Sequence, residues 1–207
     1  MPQREARDEA IRRVKSRLAA ERESAERRCS RLGLPPPVGG AVDFPLFGSP
    51  ARLDLGTLDL TGSSGEARSQ TDRILFYHYF ACEGVIRAGG DLISFRDFAG
   101  GSFYWEPFRS RTCLPLIRKY GGDPEGLRSA LARFDWSELA LGDFGARIHG
   151  FGNLYLSLVA YSAEEGMEPE INVLFDPAVK RVFAAEDAAA FASRICLEGL
   201  CSGPKSA

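Results

Sequence analysis

The 207-residue sequence is 44% hydrophobic and 26% charged, with a formal net charge of −2. That balance belongs to a folded globular chain long enough to bury a core without disulfides or a structural metal. It excludes a nucleic-acid binder that works by overall charge, and no apolar run approaches the roughly 20 residues that a membrane-spanning helix needs.

Five cysteines (Cys29, Cys82, Cys113, Cys196 and Cys201) are dispersed, odd in number and form no CxxC pair. Reduced thiols in a cytoplasm fit this usage better than a secreted disulfide scaffold. The N-terminal MPQREARDEAIRRVKSRL is charged and lacks the apolar stretch of a secretory signal. Residues 1–31 carry 10 basic and 6 acidic side chains, whereas the remainder carries 16 basic and 22 acidic. This asymmetry sets an N-terminal segment apart from the body.

Residues 3–32 read as one long helix, with a narrow apolar stripe of Ile11, Val14, Leu18, Ala25, Cys29 and Leu32. Such a stripe predicts weak docking or one partner helix rather than deep burial. Gly33 is a C-terminal stop, and Pro35-Pro36-Pro37 forbids continuation. The expected organisation is a charged helical extension with a proline-rich linker over residues 1–38 and a single α+β domain over residues 39–207.

The body opens with strands at 42–47 and 51–60, followed by a polar loop, TGSSGEARSQ. Ser69 or Thr71 caps a central helix expected to run to about Ile86. A short strand at 92–95, helices to Tyr120 and over 124–134, strands at 144–151, 154–161 and 171–175, and a helix over 185–198 complete the chain. The acidic loop SAEEGMEPE joins two of these strands, which predicts an antiparallel pair. The order is mixed rather than strictly alternating. It predicts an α+β fold with a mixed, mainly antiparallel sheet packed against helices and an N-terminal helical extension.

Several chemistries lack their parts. There is no phosphate-binding loop, dinucleotide fingerprint, HExxH or nucleophile elbow. His78 falls on an apolar helix stripe and reads as a hydrogen-bonded core residue; His149 sits beside Gly150 with no nucleophile near it in sequence. Cys196 and Cys201 alone do not make a cluster motif. The acidic loop lacks the spacing of a calcium loop. Neither metal nor cofactor is expected.

Four stretches in order, DRILFYHYF, LISFRDFAGGSFYWEPFRSR, LGDFGARIHGF and LYLSLVAYSAEEGMEPEINVLFD, followed by an AAEDAAAF helix, resemble the family of domain of unknown function 3786 over roughly residues 40–195. The resemblance implies an anaerobic setting, with some relatives carrying an added iron–sulfur segment. This chain has a charged helix in place of that four-cysteine run. The family brings no activity with it.

The stretch Phe95–Arg111 concentrates Arg96, Arg109 and Arg111 among Phe95, Phe98, Phe103, Tyr104, Trp105 and Phe108. Arginine forks suit carboxylates and phosphates, aromatics supply apolar walls, and Gly100-Gly101 permits unusual backbone. The candidate ligand site is Arg96, Gly100, Gly101, Tyr104, Arg111 and Asp176. The competing reading has these arginines paired with Asp97, Asp143 or Asp176 as ties between loops. The expected function is a binding or accessory module that recognises a small anionic ligand, or a partner protein through the N-terminal helix, without nucleic acid or membrane. The alternative is an enzyme acting on a small anionic substrate through Arg, Tyr and Asp side chains.

Overall fold

A computed structural model describes residues 2–21, 23–163 and 166–202. The fold is α+β, with two antiparallel sheets, one of three strands and one of five. The chain divides into two compact units. One runs to Arg87 and includes Phe151–Asn153; the other holds Ala88–Gly150 and continues from Leu154. Among the described residues no helix is long and apolar enough to cross a membrane. Glu164 and Glu165 of the acidic loop lie outside the described residues.

The first unit contains α1 (Pro2–Ala20), α2 (Ala25–Leu32), β1 (Ala41–Leu46), β2 (Ser49–Asp54), β3 (Leu60–Gly62) and α3 (Gln70–Phe80). The charged N-terminal segment is therefore two helices rather than one. Ser24 starts the second by accepting from Arg27 N, and Gly33, at φ 66°, ends it in the left-handed region. Docking is firmer than the narrow stripe predicts, because Ile11, Leu18, Cys29 and Leu32 are all buried. Charged side chains supply the rest. The Arg28 guanidinium is buried, pairs with Glu21 and Glu23, and donates to Phe80 O at 3.3 Å. Arg17 donates to Ala81 O, and Arg31 to Cys82 O and Gly84 O.

Those carbonyls explain why α3 stops at Phe80 and not at Ile86. Beyond Phe80 the backbone turns its acceptors to arginines of α1 and α2, and Gly84 takes a positive φ of 84°. Within α3, Leu75, Phe76, Tyr77, Tyr79 and Phe80 are buried. Phe76 stacks on Phe44 of β1 at 4.9 Å. The hairpin β1–β2 turns through Phe47-Gly48, both with φ above zero, which matches the twist of the strands it joins.

The second unit contains β4 (Ile93–Ser94), α4 (Trp105–Arg111), α5 (Cys113–Tyr120), α6 (Pro124–Leu131), β5 (Trp136–Leu139), β6 (Phe144–Phe151), β7 (Leu154–Tyr161), β8 (Glu170–Phe175), α7 (Pro177–Val182) and α8 (Ala185–Ser193). The expected antiparallel pair is β7–β8, in register from Leu156↔Phe175 to Tyr161↔Glu170. One face of the sheet is apolar, with Phe144, Ala146, Ile148, Leu154, Leu156, Leu158, Ile171, Val173 and Phe175 buried. Gly150 leaves room for Phe191 of α8, whose ring lies 2.4 Å from where a Cβ would stand.

After α8 the chain widens into a π-helix, Arg194–Cys201. Its end carbonyls find side-chain donors: Tyr120 Oη and Lys119 Nζ on Leu200 O, Lys119 Nζ on Cys201 O, and Arg133 on Gly199 O. Cys201 is half-buried at the end of this helix.

Two consequences of α3 are measurable. Tyr79 Oη donates to Leu32 O and accepts from Asn153 N at 2.9 Å. Tyr79→Phe leaves both groups without that partner and is expected to lower stability by roughly 1–3 kcal/mol in denaturant unfolding. Tyr77 Oη donates to Leu58 O, and burial pushes its phenol up to about 12. The unfolded phenol ionises near pH 10. The stabilisation is complete below that pH and is lost as pH rises towards 12. Wild-type unfolding free energy is therefore expected to fall more steeply than that of Tyr77→Phe across this interval.

Candidate functional site

The stretch between β4 and the end of α4 forms a folded-back turn. Ser94 and Asp97 close a capping box around one 3-10 turn: Arg96 N donates to Ser94 Oγ and Ser94 N to Asp97 Oδ2. Gly101 is required there, since a Cβ would stand 1.9 Å from Phe95 O. Gly100 takes φ 77°, and its carbonyl accepts from Phe103 N and Tyr104 N.

The aromatics of this stretch divide by direction. Phe95, Phe98 and Phe108 are buried. Phe95 and Phe108 stack at 4.1 Å, and Phe98 meets Phe175 of β8 edge-on at 5.1 Å. Phe103 and Tyr104 face outward, 84% and 56% exposed, and pack edge to face. The Arg96 guanidinium lies 4.4 Å from the Trp105 ring centroid. Arg111 is exposed at the last turn of α4, two helical turns from Tyr104.

Arg96, Arg109 and Arg111 form no ion pair among the described residues. The three carboxylates expected to neutralise them are engaged elsewhere: Asp97 with Ser94 N, Asp143 with Ser162 N, and Asp176 with Arg147. Five of the six candidate residues thus lie on one turn and its helix, with Gly100, Gly101 and Tyr104 within five consecutive positions.

Asp176 stands in a different cluster. Its carboxylate is buried, accepts from Gly89 N at 2.7 Å and Ala178 N at 2.9 Å, and pairs with Arg147 at 3.3 Å. Arg147 in turn stacks on Tyr155 at 3.7 Å, and the His149 ring lies 5.0 Å from the same tyrosine. This chain of Asp176, Arg147, Tyr155 and His149 occupies the sheet face opposite the apolar one. Sequence reading missed Arg147 and Tyr155. The signal was the period-two alternation of β6 and β7, which sets 147, 149 and 155 against the apolar face. Every oxygen of Asp176 serves a backbone or guanidinium donor, so the arrangement ties α7 and the Gly89-Gly90 loop to the sheet.

Among the described residues no group of three or more His, Cys, Asp and Glu is placed to hold a metal ion. A family model described as Domain of unknown function (DUF3786) matches residues 24–198, from the cap of α2 into the π-helix. No curated protein matches the chain. No solved structure matches it either.

The two clusters predict opposite mutational behaviour. Asp176→Ala removes a helix cap, a loop anchor and the counter-ion of Arg147, and is expected to cost roughly 3 kcal/mol. Arg111→Ala loses no partner and is expected to stay within about 0.5 kcal/mol of wild type. Parallel thermal and chemical denaturation of the two variants is the check; an equal loss in both would make Arg111 a structural tie.

Proposed function

Because the chain belongs to the family described as Domain of unknown function 3786, whose description names no activity, we propose from its own geometry that it is a binding module for an anionic partner. The recognition surface is the turn Phe95–Arg111. The observation that carries this reading is the set of guanidinia of Arg96 and Arg111, left without carboxylates beside two outward aromatics. Exposed aromatics and arginine are the residue types that concentrate binding energy at interfaces. Stacking on Trp105 holds Arg96 in one plane, so its fork meets a carboxylate or phosphate with less ordering cost.

The surface is open, with Phe103 and Tyr104 standing proud of it, and so favours a carboxylate-bearing segment of a partner protein over an enclosed metabolite. On this reading the body over residues 39–207 carries the recognition surface. The charged segment 1–38 offers a second place of contact through the exposed Arg12 and Arg13 of α1. Asp176 positions the surface and does not touch the ligand.

A nuclear magnetic resonance titration of the labelled chain with a short polyglutamate peptide, and separately with pyrophosphate, tests the proposal. Amides of residues 95–111 are expected to shift with either anion, and the peptide is expected to bind more tightly. Arg96→Ala with Arg111→Ala should weaken binding about ten-fold or more, the equivalent of one lost charge-assisted contact. Shifts that spare 95–111, or a double variant that binds as wild type does, would sink it.

A further inference from the structure

A pocket in the second unit has a composition unlike the arginine surface. It lies where the end of α5 and the start of α6 meet the ends of β6 and β7, and encloses about 80 Å³. That is several times the space one water needs, room for a small head group. Tyr120, Phe144 and Tyr161 supply rings, and Leu127 and Ile171 supply aliphatic wall. Asp143 is the one charged side chain among the lining residues.

The carboxylate of Asp143 is held in place. Ser162 N donates to its Oδ2 at 2.7 Å, and its own N donates to Ala160 O at 2.9 Å. Before it, Gly142 takes φ 64° at a point where a Cβ would stand 2.6 Å from Ala160 O, so the approach of this loop to β7 needs glycine. Oδ1 makes no hydrogen bond among the described residues. The exposed position of Asp143 and the 45% exposure of Tyr161 put an unused carboxylate oxygen and an open ring at the mouth, above a floor of buried Leu127 and Ile171.

Two cations stand near the rings without lining the pocket. Arg128 lies 4.9 Å from the Phe144 centroid and pairs with Glu138 at 3.0 Å. Lys119 lies 5.0 Å from the Tyr120 centroid and donates to the carbonyls of Leu200 and Cys201. Both are committed to other partners.

The geometry points to a site for a small organic cation: an alkylammonium head group seated among Tyr120, Phe144 and Tyr161 with Asp143 as its counter-ion. Ring faces attract a cation, and the attraction grows where water is excluded. An apolar pocket with one placed polar group orients a ligand by that group. An anion entering here would face Asp143 with no guanidinium or ammonium lining the wall. A neutral apolar group would fill the floor and leave the carboxylate unused. This site is separate from the arginine surface, opposite to it in charge preference, and does not rest on the function proposed for it.

Titration of the labelled full chain with trimethylammonium chloride tests the assignment, with tert-butanol as a neutral ligand of similar size. The amides of Asp143, Phe144, Tyr161 and Ser162 are expected to shift with the cation, and the neutral ligand to bind about ten-fold more weakly. Asp143→Asn keeps an acceptor for Ser162 N, so the fold is expected to persist while cation binding falls by a similar factor. Tyr161→Ala, at a half-exposed ring, provides a second variant with the same expected direction. A peptide carrying trimethyllysine separates the two sources of the head group: tighter binding than the free ion assigns the site to a lysine side chain of a partner, and equal or weaker binding to a free amine. Cation and alcohol binding alike, Asp143→Asn binding as wild type does, or the absence of shifts at these four amides would overturn the proposal.

Discussion

The buried carboxylate of Asp176 is the contact on which the second unit's arrangement turns. In one residue it ends β8, caps α7 through Ala178 N, holds the loop before β4 through Gly89 N and fixes Arg147 on the far face of the sheet. The reach of that loop matters most. Gly89 and Gly90 lead directly into β4, whose two residues pair with the end of β8. From β4 the chain enters the capped turn that presents Arg96, Phe103 and Tyr104. A single desolvated carboxylate with all its donors therefore sets where the arginine surface begins. Burying such a charge is tolerable only because backbone amides and a guanidinium together replace its water.

This division of labour also explains how the arginines remain available. A carboxylate within reach of Arg96 or Arg111 would have neutralised them. The carboxylates offered by the sequence as counter-ions hold other donors: Asp97 accepts from Ser94 N, Asp143 from Ser162 N, and Asp176 is paired with Arg147. The Asp97–Ser94 bond is local and needs little ordering. Trp105 then supplies what a carboxylate would otherwise give Arg96, a fixed orientation without loss of charge.

Much of this was legible in the sequence, and the failures have physical causes. Strands β6, β7 and β8 show because alternation along them separates an apolar from a polar face. The pairing of β7 with β8 follows from the short acidic connection. The turn at Gly100-Gly101 shows because two glycines interrupt an aromatic run. Strand β5 was hidden, since Trp136 to Leu139 is an edge strand with two exposed residues and carries little apolar pattern. Helix α7 was readable in principle from Asp176-Pro177, a cap followed by a proline at the first helical position. The break between α1 and α2 rested on Ser24, a cap signal masked by strong helix formers on both sides. The arginine contacts that end α3 join residues more than 50 positions apart, which no local window contains. Arg147 and Tyr155 were invisible for a related reason: their meeting is a cross-strand event, and sequence shows the alternation but not which partner faces which.

The cysteines show how burial narrows the chemistry open to the second unit. Cys113 sits at the start of α5, and Cys196 and Cys201 lie on the π-helix that packs against α5 and α8. Burial pushes all three thiols up, Cys196 furthest, and Cys113 and Cys201 each add to the cost of a charge at Cys196. Thiolate is the reactive and metal-binding form. A helix that hands its last carbonyls to Lys119, Tyr120 and Arg133 gains packing there and gives up nucleophilic character at its sulfurs. The π-helix reads accordingly as a docking device, with Gly199 letting the Phe134 ring approach to 2.5 Å of a would-be Cβ. On the proposed reading, recognition lies instead with exposed groups outside this packed region: the guanidinia beside Trp105 and Tyr104, and the carboxylate at the mouth of the aromatic pocket.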